Sequence, residues 1–292
     1  MNDDQNVESR PWTVRENRLL GGDCGRLLVE IEAESVSPPG PGQFYMLRLG
    51  HGTDPLLRRP ISIAAMRLGH NEPGGSPMIR LTFLYKVVGK GTAIMARLQP
   101  GETVDCLGPV GRGFTIPGPE APPRFRAPRL AVLVAGGIGV APFPMLADAL
   151  QRAGVPVRLY FGGRSDTDLV ELQGFHDRGV EVITATEDGS HGEKGFVTSP
   201  LARDLPGLSS EETVVYACGP NPMMTAVIEA CAEHGLPLEV SLETRMGCGI
   251  GVCLGCVVPA TRPGPEGTPV YHRVCTEGPV FNGEEVDLGP FQ

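Results

Sequence analysis

Residues Met246 to Cys256 read MGCGIGVCLGC, and a further cysteine, Cys275, stands beyond residues 257–274. Three of the chain's eight cysteines fall in this stretch, Cys248, Cys253 and Cys256, in the spacing C-x4-C-x2-C. The interleaved Gly247, Gly249, Gly251 and Gly255 let successive backbone N–H groups turn toward one point. Ferric ions, sulfides and thiolates together carry net negative charge, which such donors offset, and this spacing with a distant fourth cysteine is the plant-type [2Fe-2S] pattern. The stretch therefore predicts a [2Fe-2S] cluster on Cys248, Cys253, Cys256 and Cys275. Structural zinc is the alternative, but such sites more often pair two C-x2-C knuckles, and this segment has one.

Working outward, a chain of 292 residues accommodates about two domains and a small module. Lys plus Arg number 25 against 34 Asp plus Glu, a formal charge of −9, and no basic run is present, so nucleic acid is not an expected partner. Met1 to Asn6 lacks the basic and apolar regions of a signal peptide, and the longest apolar run, Leu130 to Ala135, is too short to span a bilayer. A cytoplasmic protein without a transmembrane segment is expected. In that reducing compartment the cysteines serve metal or redox chemistry rather than disulfides.

Upstream, from Trp12 to Val110, short apolar segments alternate with turn signals: Arg26 to Glu32, Gln43 to Leu49, Ile61 to Met66, Met78 to Tyr85 and Thr103 to Leu107. This spacing predicts an antiparallel barrel or sandwich, with loops at Pro38 to Gly42 and Asn71 to Gly75 and a single helix over Thr92 to Leu98. Pro117 to Pro128, with five prolines and no apolar period, is the expected linker. Beyond it strands and helices alternate: strands Arg129 to Ala135, Val157 to Phe161, Val180 to Thr186, Thr213 to Ala217 and Leu238 to Leu242, and helices Pro142 to Ala153 and Asn221 to His234. That order predicts an open parallel sheet with its ligand beyond the carboxyl ends of the strands. A hairpin with arms Cys256 to Ala260 and Pro269 to Cys275 follows. The expected division is 1–120, 121–242 and 243–292.

Candidate sites sit at the junctions. Arg59, Pro60, Ile61 and Ser62 enter a barrel strand, Leu84, Tyr85 and Lys86 end another, and Gly91 and Thr92 open the helix; together they suit a flavin and its pyrophosphate. Gly136, Gly137 and Gly139 form a glycine-rich turn between the first strand and helix of the second part, suited to close approach of a phosphate. Cys218, Gly219 and Pro220 stand where a strand meets a helix, placing a thiol at the ligand edge; a small buried residue is the plain reading of Cys218. Arg164 and Ser165 follow another strand end, where an adenosine ribose or a 2′-phosphate would sit; a solvated loop is the plain reading. No histidine has metal-ligand spacing and no hydrolase motif is present.

With RPIS at 59–62, GT at 91–92, GGIGVAP at 136–142, YACGP at 216–220 and the cysteine segment in this order, the chain resembles the ferredoxin-reductase superfamily. Its C-terminal segment is similar to that of the electron-transfer subunits of class B dihydroorotate dehydrogenases. The resemblance implies an FAD-binding Greek-key barrel, an NAD-binding α/β domain and a small [2Fe-2S] module. It also implies a partner, an FMN-containing dihydroorotate dehydrogenase catalytic subunit, in a heterotetramer with two copies of each.

The cofactor set has its own logic. NAD accepts two electrons together whereas the cluster carries one at a time, so a flavin is needed between them. The expected route runs from partner FMN to cluster to FAD to NAD+. The rival readings are the small subunit of an NADH-dependent ferredoxin:NADP+ oxidoreductase, an oxygenase-type reductase with a longer ferredoxin domain, and a non-enzymatic zinc-binding interaction protein.

Overall fold

A computed structural model describes residues 7–50, 52–70 and 75–289. The readings made at Met1 to Asn6 and at Asn71 to Gly74 lie outside the described residues.

Six strands close a barrel: β1 (Glu8–Gly21), β2 (Cys24–Glu32), β3 (Phe44–Arg48), β4 (Arg59–His70), β5 (Pro77–Lys86) and β6 (Thr103–Val110), in the order β1-β2-β5-β4-β3-β6. The short helix α1 (Lys90–Met95) links β5 to β6. Alternation along the strands sends every second side chain inward. Trp12, Tyr45 and Phe83 form the centre, with edge-to-face rings 5.6 and 6.1 Å apart. Leu27, Leu47, Ile61, Ile63 and Tyr85 complete that core. The antiparallel barrel expected from the sequence is present, together with β1, whose polar sequence around Pro11 concealed it.

The second part is a parallel sheet built from β7 (Leu130–Gly136), β8 (Val157–Gly163), β9 (Glu181–Thr186), β10 (Glu193–Lys194), β11 (Thr213–Cys218) and β12 (Leu238–Ser241). Helices α2 (Phe143–Arg152), α3 (Leu172–Asp177), α4 (Thr198–Asp204) and α5 (Asn221–Glu233) cover it. Every residue of β11 is buried, as a strand covered on both faces requires. Strands β13 (Val257–Pro259) and β14 (Tyr271–Arg273) form the C-terminal hairpin, and β15 (Val280–Asn282) follows. The sheet order is β10-β9-β8-β7-β11-β12-β15, and β15 runs antiparallel to β12. The last segment is therefore woven into the sheet edge. No described helix is long and apolar enough to cross a membrane.

The proline-rich segment is packed rather than free. Phe125 and Phe114 both meet Tyr216 edge-on, at 6.0 and 5.5 Å, and the Tyr216 hydroxyl donates to the Thr115 carbonyl at 2.8 Å. Phe125 and Phe114 are both buried in the core cluster of the sheet. Two aromatic anchors, absent from a flexible tether, thus pin the connection across β11. Phe125→Ala is expected to destabilise the chain by about 3 kcal/mol, the usual cost of emptying a buried aromatic site; the urea midpoint of the apoprotein measures it.

Candidate nucleotide cavity, flavin face and cluster cradle

A cavity of about 780 Å³ opens at the carboxyl ends of β7, β8, β9 and β11, within the size range of cofactor sites. Two glycine turns interlock at its floor. A Cβ on Gly139 would lie 2.3 Å from the Cys218 carbonyl oxygen, and one on Gly136 would lie 2.7 Å from Pro220 Cδ. Neither position admits a side chain, and Gly137 holds φ +53. Gly136, Gly137, Gly139, Gly219 and Pro220 all line this one cavity. Cys218 lies beneath it, fully buried, with Ser241 as hydrogen-bond partner. Burial, and after it the charge of Glu243, pushes its thiol far above the ordinary range, so it stays neutral.

Charged groups enter the cavity from both large parts of the molecule. Lys86, from the end of β5, donates from Nζ to Asp168 Oδ1 at 2.6 Å, while Asp168 Oδ2 accepts the Arg164 N–H at 3.0 Å. Burial opposes ionisation of Asp168, but the Lys86 bond and the Arg164 N–H outweigh it and hold the carboxyl below its usual value. Arg26 and Glu171 form a second contact between barrel and sheet at 3.3 Å. Glu187 and Glu243 also line the cavity. Glu243 faces its open space yet is surrounded by protein, which raises its carboxyl. Asp168, Glu187 and Glu243 carry no motif of their own and were missed in the sequence; only their positions after strand or turn signals could have pointed to them.

The flavin candidates divide by strand face. Arg59 lies across Gly91, where an added Cβ would come 2.7 Å from the Arg59 Nε. The Thr92 hydroxyl accepts the N–H groups of Val88 and Gly89 at 3.0 and 3.2 Å, closing the turn into α1. Pro60 and Ser62 emerge on the outside of the barrel, whereas Ile61 and Tyr85 point into its core. Tyr85 covers Gly25 and donates to Asn17 Oδ1 at 2.9 Å. Leu84 is buried in the cluster shared with the sheet, and Lys86 reaches the nucleotide cavity. The barrel residues thus serve two neighbouring sites.

Among the described residues, no group of three or more His, Cys, Asp or Glu side chains closes on one metal position. The four cysteines instead form an outer and an inner pair. Cys248 accepts the N–H groups of Cys253 and Ile250 at 3.4 and 3.5 Å, and Cys253 accepts that of Gly255 at 3.5 Å. Partial burial disfavours the Cys248 thiolate, but these donors prevail and bring its pKa down to about 7. Cys256 and Cys275 are buried and hydrogen-bonded to one another, and the Gly251 N–H serves Cys275. Burial, reinforced by the Cys256 neighbour, pushes Cys275 up to about 12. Two pairs of sulfurs with N–H donors aimed at them fit a two-iron cluster better than a single ion.

The cradle is fixed to both larger parts. The Arg112 N–H donates to the Gly278 carbonyl at 2.5 Å, and the Leu242 N–H to that of Pro279 at 2.9 Å. Leu254 holds φ +56 between Cys253 and Gly255, and Ile250, Val252 and Leu254 stand exposed around the outer pair.

Residues 243–287 match the iron-sulfur cluster binding domain of dihydroorotate dehydrogenase B, and residues 133–229 match the oxidoreductase NAD-binding domain. The electron transfer subunit of dihydroorotate dehydrogenase B (NAD(+)) from Geobacillus kaustophilus is 41% identical over 94% of this chain and 97% of its own. That of Fusobacterium nucleatum is 36% identical over the same shares. Among solved structures, an NADH-dependent reduced ferredoxin-NADP oxidoreductase aligns with TM-score 0.75 at 27% identity, covering 96% of this chain and 90% of that one. A Neisseria gonorrhoeae ferredoxin NADP+ reductase with bound FAD and NADP shares the fold, with TM-score 0.61 at 16% identity over 78% of this chain and 92% of that one.

Asp168→Asn removes the charged link between barrel and sheet and is expected to cost about 2 kcal/mol at neutral pH, typical of a hydrogen bond to a charged partner. Because the folded-state pKa of Asp168 is depressed, the parent holds this contribution fully above the unfolded aspartate value near 4. It is lost as pH falls through the lower folded value. Urea midpoints of the two chains should therefore converge in acid; a constant gap would exclude the pair as its source.

Proposed function

The chain belongs to the family of electron transfer subunits of dihydroorotate dehydrogenase B, and from that premise we propose that it carries single electrons from a catalytic partner through a [2Fe-2S] cluster and FAD to NAD+. It is an NAD-linked oxidoreductase subunit of pyrimidine biosynthesis. The observation that carries the reading is the cysteine cradle packed against the same barrel that sends Lys86 into the nucleotide cavity. Bound FAD supplies the exchange between one-electron and two-electron chemistry.

The chain's own residues bind and orient. Arg59 offers a guanidinium to the flavin diphosphate, and Gly91 allows the backbone close to it. Pro60 and Ser62 present the outer face for the flavin, Thr92 shapes the adjoining turn, and Leu84 closes the side toward the sheet. Ile61 and Tyr85 act by anchoring their strands inward. Gly136, Gly137, Gly139, Gly219 and Pro220 give NAD bare backbone to lie on, with Lys86 as the nearby cation. Cys218, buried under the cavity floor, would edge the nicotinamide site, its neutral thiol adding no charge there. Cys248, Cys253, Cys256 and Cys275 hold the cluster.

The three functional parts are taken as 1–120, 121–242 and 243–292. The partner is read as an FMN-containing catalytic subunit in a cytoplasmic heterotetramer, two of each. Ile250, Val252 and Leu254 give it an apolar landing surface beside the outer cysteines. The fold likeness to the ferredoxin-NADP oxidoreductase supports a second reading as the small subunit of such an enzyme. The 41% identity to the dihydroorotate family against 27% to the other favours the first. Anaerobic co-purification with the partner and an assay of dihydroorotate-dependent NAD+ reduction tests it; a partner without FMN would support the second reading.

Cys253→Ser is expected to bring iron to background while most FAD remains, measured by metal analysis and flavin absorbance. Arg59→Ala should do the reverse, loosening FAD while iron stays. A colourless parent chain containing zinc alone would remove the redox reading altogether.

A further inference from the structure

One side chain stands between the flavin face and the cysteine loop. Strands β3 and β4 pair antiparallel, with Met46 opposite Pro60 and Phe44 opposite Ser62. Directly opposed residues of such a pair share a face, with Cβ atoms about 5 Å apart. Tyr45, Leu47, Ile61 and Ile63 fill the barrel, so Met46 and Pro60 emerge side by side on its outer surface. Met46 is nevertheless fully buried. The cysteine loop covers it: a Cβ on Gly249 would come 2.5 Å from Met46 Cγ, 3.1 Å from Sδ and 3.3 Å from Cε. Gly249 holds φ +77, so bare backbone makes this contact one residue from Cys248. On the inner side Met46 belongs to the same apolar cluster as Met246, Cys256 and Cys275.

The other barrel contact of the cradle is different in kind. Gly111, just after β6, packs against Gly278 and Pro279, where an added Cβ would lie 2.6 Å from each, and Phe44 Cε1 closes that contact from the side at 3.1 Å. It steadies the turn three residues beyond Cys275, with Phe44 opposite Ser62 at its side, whereas Met46 meets the residue next to Cys248.

We infer that Met46 is the positioning residue that sets the spacing between the flavin face and the cluster loop, and the contact across which single electrons pass. The inference rests on the function proposed above. An unbranched, polarisable thioether suits a gap bounded by a strand on one side and glycine backbone on the other. No bond at Met46 forms or breaks. Each electron arriving from the cysteine side leaves on the Pro60 side, and two such passages with one proton from solvent accompany each NAD+ reduced to NADH. Met46 therefore acts through distance rather than chemistry.

The test uses the full chain carrying its FAD and cluster, as parent, Met46→Ala and Met46→Leu. Each is mixed anaerobically with NADH in a stopped-flow instrument, flavin and cluster bleaching are followed separately, and the EPR spectrum of the reduced cluster is recorded. Flavin bleaching and the contents of iron and FAD should stay within about twofold of the parent, whereas cluster reduction in Met46→Ala should slow about tenfold or more, as misplacement of reacting groups does. Its EPR spectrum should also change, and Met46→Leu, which refills the gap, should restore both. Should the alanine chain shed iron, Met46→Val, which stops short of Gly249, carries the same comparison with an expected slowing of about threefold. Cluster reduction as fast as in the parent, or a leucine chain no better than the shortened one, overturns the role of Met46 while leaving the proposed function intact. A parent whose flavin does not bleach with NADH overturns both.

Discussion

The alternation of side chains along β3, β4 and β5 is the constraint from which the sites follow. Tyr45, Leu47, Ile61, Ile63, Phe83 and Tyr85 go inward and make the barrel a packed solid. Their neighbours Phe44, Met46, Pro60, Ser62, Leu84 and Lys86 are thereby forced outward. A register slip of one residue would exchange the two sets and bury the candidate ligand face in the core. The aromatic centre at Trp12, Tyr45 and Phe83 fixes that register, so a core remote from any cofactor decides which residues can meet one.

Close approach of backbone does the rest. Gly139 against the Cys218 carbonyl, Gly249 against Met46 and Gly111 against Gly278 each leave no room for a Cβ. Each also joins pieces far apart in sequence. With β15 completing the edge of the sheet and Phe125 pinned on Tyr216, three functional parts share continuous apolar packing. A route for electrons needs fixed separations, and packing of this kind holds them better than a tether would.

Much of this was legible in the chain. The cysteine spacing, the alternating strands and helices after Arg129 and the glycine turns are local signals, and local chemistry places them. What could not be read depends on partners distant in sequence. Tyr85 looked like a groove residue, but strand parity and the bare Gly25 opposite it draw it inward. Lys86 was grouped with the flavin motif, yet Asp168, across the junction of barrel and sheet, turns it to the nucleotide cavity. The proline-rich segment lacked a period, and its anchor Phe125, like Phe114 just before the segment, becomes meaningful only against Tyr216. Met46 carried no signal at all, since a methionine in an apolar strand reads as ordinary core.

The cysteine cradle and the nucleotide cavity differ in a way that matches what must cross them. Around the outer cysteines, N–H dipoles compensate sulfur charge, Arg273 is held by Glu277 at 2.9 Å, and exposed Ile250, Val252 and Leu254 surround the thiols. A surface of that character closes dry against another protein, which keeps a redox centre close to its donor and away from solvent. The cavity is glycine-lined and edged by Lys86, Arg164, Glu187 and Glu243, suited to a charged ligand that arrives from water and returns to it. Electrons need only proximity, so their entrance can be sealed; a nucleotide must come and go, so its exit stays open.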